Sequence, residues 1–143
     1  MPQTPFAPPV ATRTGKQPAS NGDRPADIRG ELLTIAEHRV GRRAVLSVAG
    51  EVDMSTAEDL RTAIETAGAR ACEVWVDLSE TSFMDSSGLH AMARARASLA
   101  DANLRLALIC TDGPVLRVLK LSGFDRIFEI HPSRSDANHA ASA

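Results

Sequence analysis

Tyrosine is absent from this chain of 143 residues, and one tryptophan and four phenylalanines bring the aromatic content to only 3%. An aromatic cage or a platform of stacked rings is therefore not expected. Cysteine is scarce as well. Cys72 and Cys110 have neither the spacing of a metal site nor that of a disulfide framework, and each adjoins an apolar run, so both are read as small buried thiols. Charge of one sign is missing too: 16 basic against 18 acidic residues leave a net charge of -2, with a pI near 6.1. That balance offers no basic footprint, and direct binding to nucleic acid is not expected. No apolar run approaches the roughly 18 residues of a membrane span, and the N-terminus carries no hydrophobic signal core. The expectation is a cytoplasmic protein without a membrane partner.

What the chain does have is 43% hydrophobic residues, enough for one domain of ordinary size with flexible ends. Residues 1–28 are rich in Pro, Ser, Thr, Gly and Arg and have little to bury, so they are expected to be disordered. Residues 132–143 read as a flexible tail for the same reason, which places the folded domain at 29–131.

Within that span, Leu32–Ala36 and Ala44–Ala49 are β-prone runs joined at Arg39–Arg42, where Gly41 suits a hairpin turn. Ser55 and Glu58 have the spacing of a capping box. Ala57, Leu60, Ile64 and Ala67 then follow at helical intervals, predicting a helix from about Thr56 that stops at Gly68. Val74–Leu78 reads as a buried strand. Leu89, Met92, Ala93, Arg96 and Leu99 mark one face of a second helix, and Leu104–Cys110 reads as a further strand, parallel to its predecessor. Pro114 opens a short third helix, Gly123 closes it, and Ile127–Ile130 can add a last strand. Leu116, Leu119, Leu121 and Phe124 read as core, with room for one leucine to stay exposed as a contact, and Trp75 reads as strand packing. The β-β-α-β-α-β-α-β order predicts a single α/β domain on a small mixed sheet.

The most informative stretch is Val76–Leu89, an apolar strand that runs through a polar loop into a helix whose first turn holds Ser86 and Ser87. Unpaired N–H groups and the positive end of the helix dipole favour an anion at such a place. Asp85 is well suited to cap this helix, and Ser86 to local hydrogen bonding. At helical spacing Ser87 aligns with His90 or Ala91, then Arg94, Ser98 and Asp101, a stripe opposite the apolar face and so expected to be exposed. A phosphate on Ser87 would add about -1.5 to -2 charges at neutral pH, and it is expected to alter surface binding without unfolding the domain. Neither serine sits in the G-x-S-x-G elbow of a serine hydrolase, since Met84 and Asp85 precede them by two positions. Asp77 ends a central strand as a receiver aspartate would, but Ala36-Glu37-His38 provides one acidic residue where a pair is needed.

Four segments, Gly50-Glu51-Val52-Asp53, Val76-Asp77-Leu78-Ser79, Phe83-Met84-Asp85-Ser86-Ser87-Gly88-Leu89 and Leu119-Lys120-Leu121-Ser122-Gly123-Phe124, occur in order at element boundaries. Together they resemble the STAS domains of bacterial anti-sigma factor antagonists. The resemblance implies partner switching. The unphosphorylated protein binds an anti-sigma factor that is also a serine kinase, releasing a sigma factor; phosphorylation ends that binding, and a PP2C-type phosphatase restores it. It also implies that Ser87 is the phosphorylated residue, that Asp85 helps engage the kinase, and that Gly50, Glu51, Asp53, Ser86 and Gly88 belong to the partner surface. The exposed stripe adds His90 and Arg94. His90 departs from the pattern, because many members carry glycine there; it reads as solvated and non-catalytic. No cofactor or metal is implied, the protein is not expected to be an enzyme, and a monomer is the default. The alternative is a non-enzymatic STAS module in a signalling scaffold or transporter complex.

Overall fold

The computed structural model describes Thr12, Arg13 and residues 33–135. Six strands follow one another across a single sheet in chain order: β1 (Thr12–Arg13), β2 (Leu33–Val40), β3 (Arg43–Val52), β4 (Glu73–Met84), β5 (Arg105–Ile109) and β6 (Glu129–His131). β2 runs antiparallel to its neighbours β1 and β3, and β3 to β6 are parallel. Helices α1 (Ala57–Gly68), α2 (Ser86–Asp101) and α3 (Pro114–Leu121) make the parallel crossovers, and a short 3₁₀ turn, Phe124–Arg126, precedes β6. The mixed sheet and α/β class match the sequence reading. The expected disorder of residues 1–28 and 132–143 falls largely outside the described residues. Thr12 and Arg13 pair with Ile35 and Thr34, a contact the sequence did not announce.

Strand order explains where the core lies. When successive parallel strands add in one direction through crossovers of one hand, every helix lands on the same face of the sheet. The buried residues of α1 (Leu60, Ile64), α2 (Met92, Leu99) and α3 (Val115, Leu119) accordingly share one cluster with Leu46, Val48, Val74, Val76 and Leu108 of the strands. The opposite, reverse face has its own small cluster, Val45, Trp75, Ala107 and Ile109. Period-two alternation assigns these residues, because neighbours along a strand point to opposite faces.

The reverse face is held by charge and one ring. Arg43 and Arg105 lie over Trp75 with guanidinium carbons 5.2 and 5.0 Å from the ring centroid. The His131 ring is 5.1 Å away. Glu73 bridges the two arginines, Glu129 pairs with Arg105, and the indole is 0% exposed. Arg134, beyond the expected end of the domain, donates to Asp77 Oδ2 and to the Ser47 hydroxyl, each at 2.7 Å.

Several local expectations are corrected. The helix cap of α1 is Thr56, without a side-chain bond to the helix, and no capping box forms: Ser55 turns back to Asp53, while Glu58 pairs with Arg61. Gly68 is the last helical residue and not a left-handed terminator; its reason is close packing, since a Cβ there would lie 3.1 Å from Leu99 Cδ1. Gly41, at φ +65°, and Gly123, at φ +82°, do take the left-handed conformations their turns require. Cys110 is buried, but Cys72 is exposed, because it sits in the turn that leads into β4. Ile127 precedes the last strand and is exposed. Leu119 is fully buried and Leu116 and Phe124 pack on the core, whereas Leu121, at 83% exposure, points to solvent from the end of α3.

Candidate functional site

The stretch read as a polar loop before Ser87 is strand. β4 runs to Met84 and stays paired with β3 through Glu80, Thr81, Phe83 and Met84, opposite Ala49, Gly50, Glu51 and Val52, with register shifts on either side of Ala49–Gly50. Bulges of this kind re-aim a strand without breaking the pairing. Asp85 then donates its amide to the Val52 carbonyl at 3.2 Å, so the chain enters α2 directly from the sheet.

Asp85 is the cap the sequence implied. Its backbone is extended, and Oδ1 accepts from the Ser87 amide at 2.9 Å and the Gly88 amide at 3.3 Å. Gly88 is buried against the strands. A Cβ there would lie 2.7 Å from both Met84 Cγ and Val52 Cγ1, so the glycine lets the first turn of α2 settle onto β3 and β4. Ser86 is exposed and Ser87 half-buried, and among the described residues neither hydroxyl has a hydrogen-bond partner. Among the described residues no base is bonded to the Ser87 hydroxyl.

The neighbouring turn is built with equal economy. Asp53 Oδ1 accepts from the Ser55 amide at 2.9 Å and the Ser55 hydroxyl at 2.8 Å. Burial pushes the Asp53 carboxyl up, but the bonds from Ser55 and Thr56 outweigh it and hold it below its ordinary range. Thr56, which the sequence reading took only as the start of a helix, is fully buried; its hydroxyl donates to the Glu51 carbonyl at 2.9 Å and accepts the Asp53 amide at 3.0 Å. This turn pushes Met54 out to 80% exposure, and Phe83, 45% exposed, stands beside Glu51 in the register. The turn chemistry of Asp53, Ser55 and Thr56 was the available clue to both Thr56 and Met54.

The structure thus brings together Gly50, Glu51, Asp53, Asp85, Ser86, Ser87 and Gly88 at one end of the sheet. His90 and Arg94 are exposed on α2 as expected, while Ala91 on the same stripe is buried. Farther along, the stripe meets α1 where the Ser98 hydroxyl donates to Glu65 at 2.9 Å. Asp77, whose position invited comparison with a receiver aspartate, is engaged on the reverse face by Ser79 and Arg134. Among the described residues no group of three or more His, Cys, Asp and Glu side chains is placed to hold a metal ion, and no helix is long and apolar enough to cross a membrane.

A mixed sheet with all its helices on one face, showing a carboxylate-capped pair of serines at one end, defines a class of small α/β domains. The chain belongs to the STAS domain family, whose model matches residues 34–137. It is 29% identical over 106 residues to the anti-sigma-F factor antagonist RsfB of Mycobacterium tuberculosis, covering 73% of this chain and 84% of that protein. It is 33% identical over 92 residues to an anti-sigma-B factor antagonist of Listeria monocytogenes, covering 64% of this chain and 81% of that one. The crystal structure of an anti-sigma factor antagonist from Mycobacterium paratuberculosis superposes with a TM-score of 0.71 at 28% identity, over 78% of this chain and 95% of that one.

Proposed function

We propose that this protein is an anti-sigma factor antagonist. In its unphosphorylated form it binds an anti-sigma factor that is also a serine kinase, and a sigma factor is released. Phosphorylation of Ser87 by that kinase ends the binding, and a PP2C-type phosphatase resets it. The chain itself does no chemistry and works as a cytoplasmic monomer. The observation that carries this reading is the Ser87 hydroxyl, displayed without a partner among the described residues one residue past a carboxylate-capped helix start, in a family whose named relatives are antagonists of anti-sigma factors.

Each remaining site residue has a part in that reading. Glu51 and the Asp53 turn, with Gly50 behind them, form one side of the partner surface, and Asp85 and Ser86 form the other. Gly88 acts indirectly, by letting α2 sit low enough for the serines to be reached. His90 and Arg94 extend the surface along α2. Phosphoryl transfer places a dianion at the end of the sheet, on the surface the partner grips, where it repels an acidic or tightly fitted partner.

The test is peptide mass spectrometry of the protein from its native cells, beside Ser87→Ala and Ser86→Ala. A single phosphate that disappears only in Ser87→Ala is the expected result. A protein that stays unmodified under every growth condition, and with a cognate kinase and ATP, overturns the reading in favour of a constitutive interaction module.

A further inference from the structure

A phosphate on Ser87 meets a helix start that is already occupied. The Ser87 and Gly88 amides are both bonded to Asp85 Oδ1, and the Leu89 amide is bonded to the Asp85 carbonyl. The backbone donors that usually receive an anion at such a place are therefore largely taken, and by a carboxylate that repels the newcomer. Counter-charge has to come from side chains. On α2 the residues that share Ser87's face lie three, four and seven positions on, where Cβ atoms one turn apart are about 5–6 Å from each other. These are His90, the buried Ala91, and Arg94. His90 is exposed and has no partner among the described residues. Arg94 is a further turn away and feels the carboxylate of Glu58 on α1.

We infer that His90 is the built-in counter-ion of the phosphorylated state: its imidazolium, one turn from Ser87, pairs with the phosphate in cis and draws it along α2, away from Asp85. This rests on phosphorylation at Ser87, as proposed above, and adds to it a determinant particular to this chain. The pairing makes the off state proton-sensitive. An imidazolium and a phosphate dianion one turn apart each favour the charged form of the other. The other charged groups on the elements meeting this end of α2 are Glu51 and Asp53 at the end of β3, Glu80 on β4 and Asp85 after it, Glu58, Asp59 and Arg61 at the start of α1, where Arg61 pairs with Glu58, and Arg94 on α2 itself. All of these groups are present in both phosphorylation states, so the difference between those states isolates the phosphate.

The experiment uses full-length protein carrying phosphoserine inserted at position 87 during translation. It needs no kinase, so it does not depend on whether a kinase acts on Ser87 in cells. NMR titrations follow the His90 imidazole by proton and nitrogen shifts, and the phosphate by ³¹P. The expected result is a rise of about one pH unit in the His90 midpoint on phosphorylation, and a lower phosphate midpoint in wild type than in His90→Gln. Persistence of the His90 shift in Arg94→Gln supports direct pairing. A His90 midpoint equal in the two forms, or a phosphate midpoint unmoved by His90→Gln but raised by Arg94→Gln, overturns the inference. His90 is exposed, so the unchanged amide spectrum expected for His90→Gln away from position 90 verifies that the variant is folded.

Discussion

The carboxylates at the Ser87 end and those on the reverse face of the sheet serve opposite purposes. Asp53 and Asp85 bind amides and hydroxyls two or three residues along the chain. Glu73 and Glu129 bind arginines 32 and 24 residues away, and Asp77, which also holds the nearby Ser79, binds one 57 residues away. Local bonds shape a turn and a helix start whatever the rest of the molecule does. Remote ones lace β3, β4, β5 and β6 together and attach the chain after β6 to the middle of the sheet. The difference teaches that the display surface and the structural brace are separate systems, and that one is open to change without loss of the other.

The largest effect expected from breaking that separation is on the brace. Trp75→Ala removes the ring on which Arg43, Arg105 and His131 lie, and should cost about 3–5 kcal/mol. Urea unfolding measures it. Any variant protein that remains folded should still accept phosphate on Ser87 at the wild-type rate, and a loss of modification in folded protein would join the two systems. Gly88→Ala comes next, because Gly88 seats the first turn of α2 on β3 and β4. The added methyl overlaps Met84 and Val52 and must lift the first turn of α2, at about 1–3 kcal/mol by the same measurement, with weakened partner binding as well. Binding at full strength by folded Gly88→Ala protein would mean that the height of α2 does not matter to the partner.

The smallest effect concerns acid. Burial pushes the Asp77 carboxyl up, but the Ser79 hydroxyl and amide and the Arg134 guanidinium outweigh it and hold it below its ordinary value. A depressed folded-state value contributes stability that is fully present above the unfolded value of about 3.9 and is lost as pH falls through the folded one. Arg134→Ala removes one of those supports, so it should be modestly less stable at pH 7 and should lose less stability than wild type between pH 5 and pH 2. Parallel acid curves for the two proteins would show that the Arg134 contact does not hold in solution.

Much of this was legible in the sequence because periodicity and caps are local. The β-prone runs Ala44–Ala49 and Val74–Leu78, the glycine at position 41 and the aspartate before two serines each specify their own conformation. The order of those pieces carried the resemblance on which the role of Ser87 rests. What escaped depends on residues far apart in the chain. The extension of β4 to Met84 is stabilised by β3, so Ser79–Ser82, polar and serine-rich, read as loop until a partner strand was there to pair with them. Gly68 looked like a terminator because its packing on Leu99 lies 31 positions away, and Arg134 looked like tail because Asp77 lies 57 away. The capping-box spacing at Ser55 and Glu58 was real in sequence, but Asp53 competed for Ser55 and prevailed, since it could take both the amide and the hydroxyl.

The continuous pairing of β4 with β3 up to the residue before the cap has a consequence for inheritance. On the proposed function, a serine mounted on the end of a sheet whose pairing continues up to the helix cap reports its state through its surface and passes no strain into the frame. On that reading a domain of this kind can diverge on its reverse face while the mark proposed for Ser87 still reads the same way.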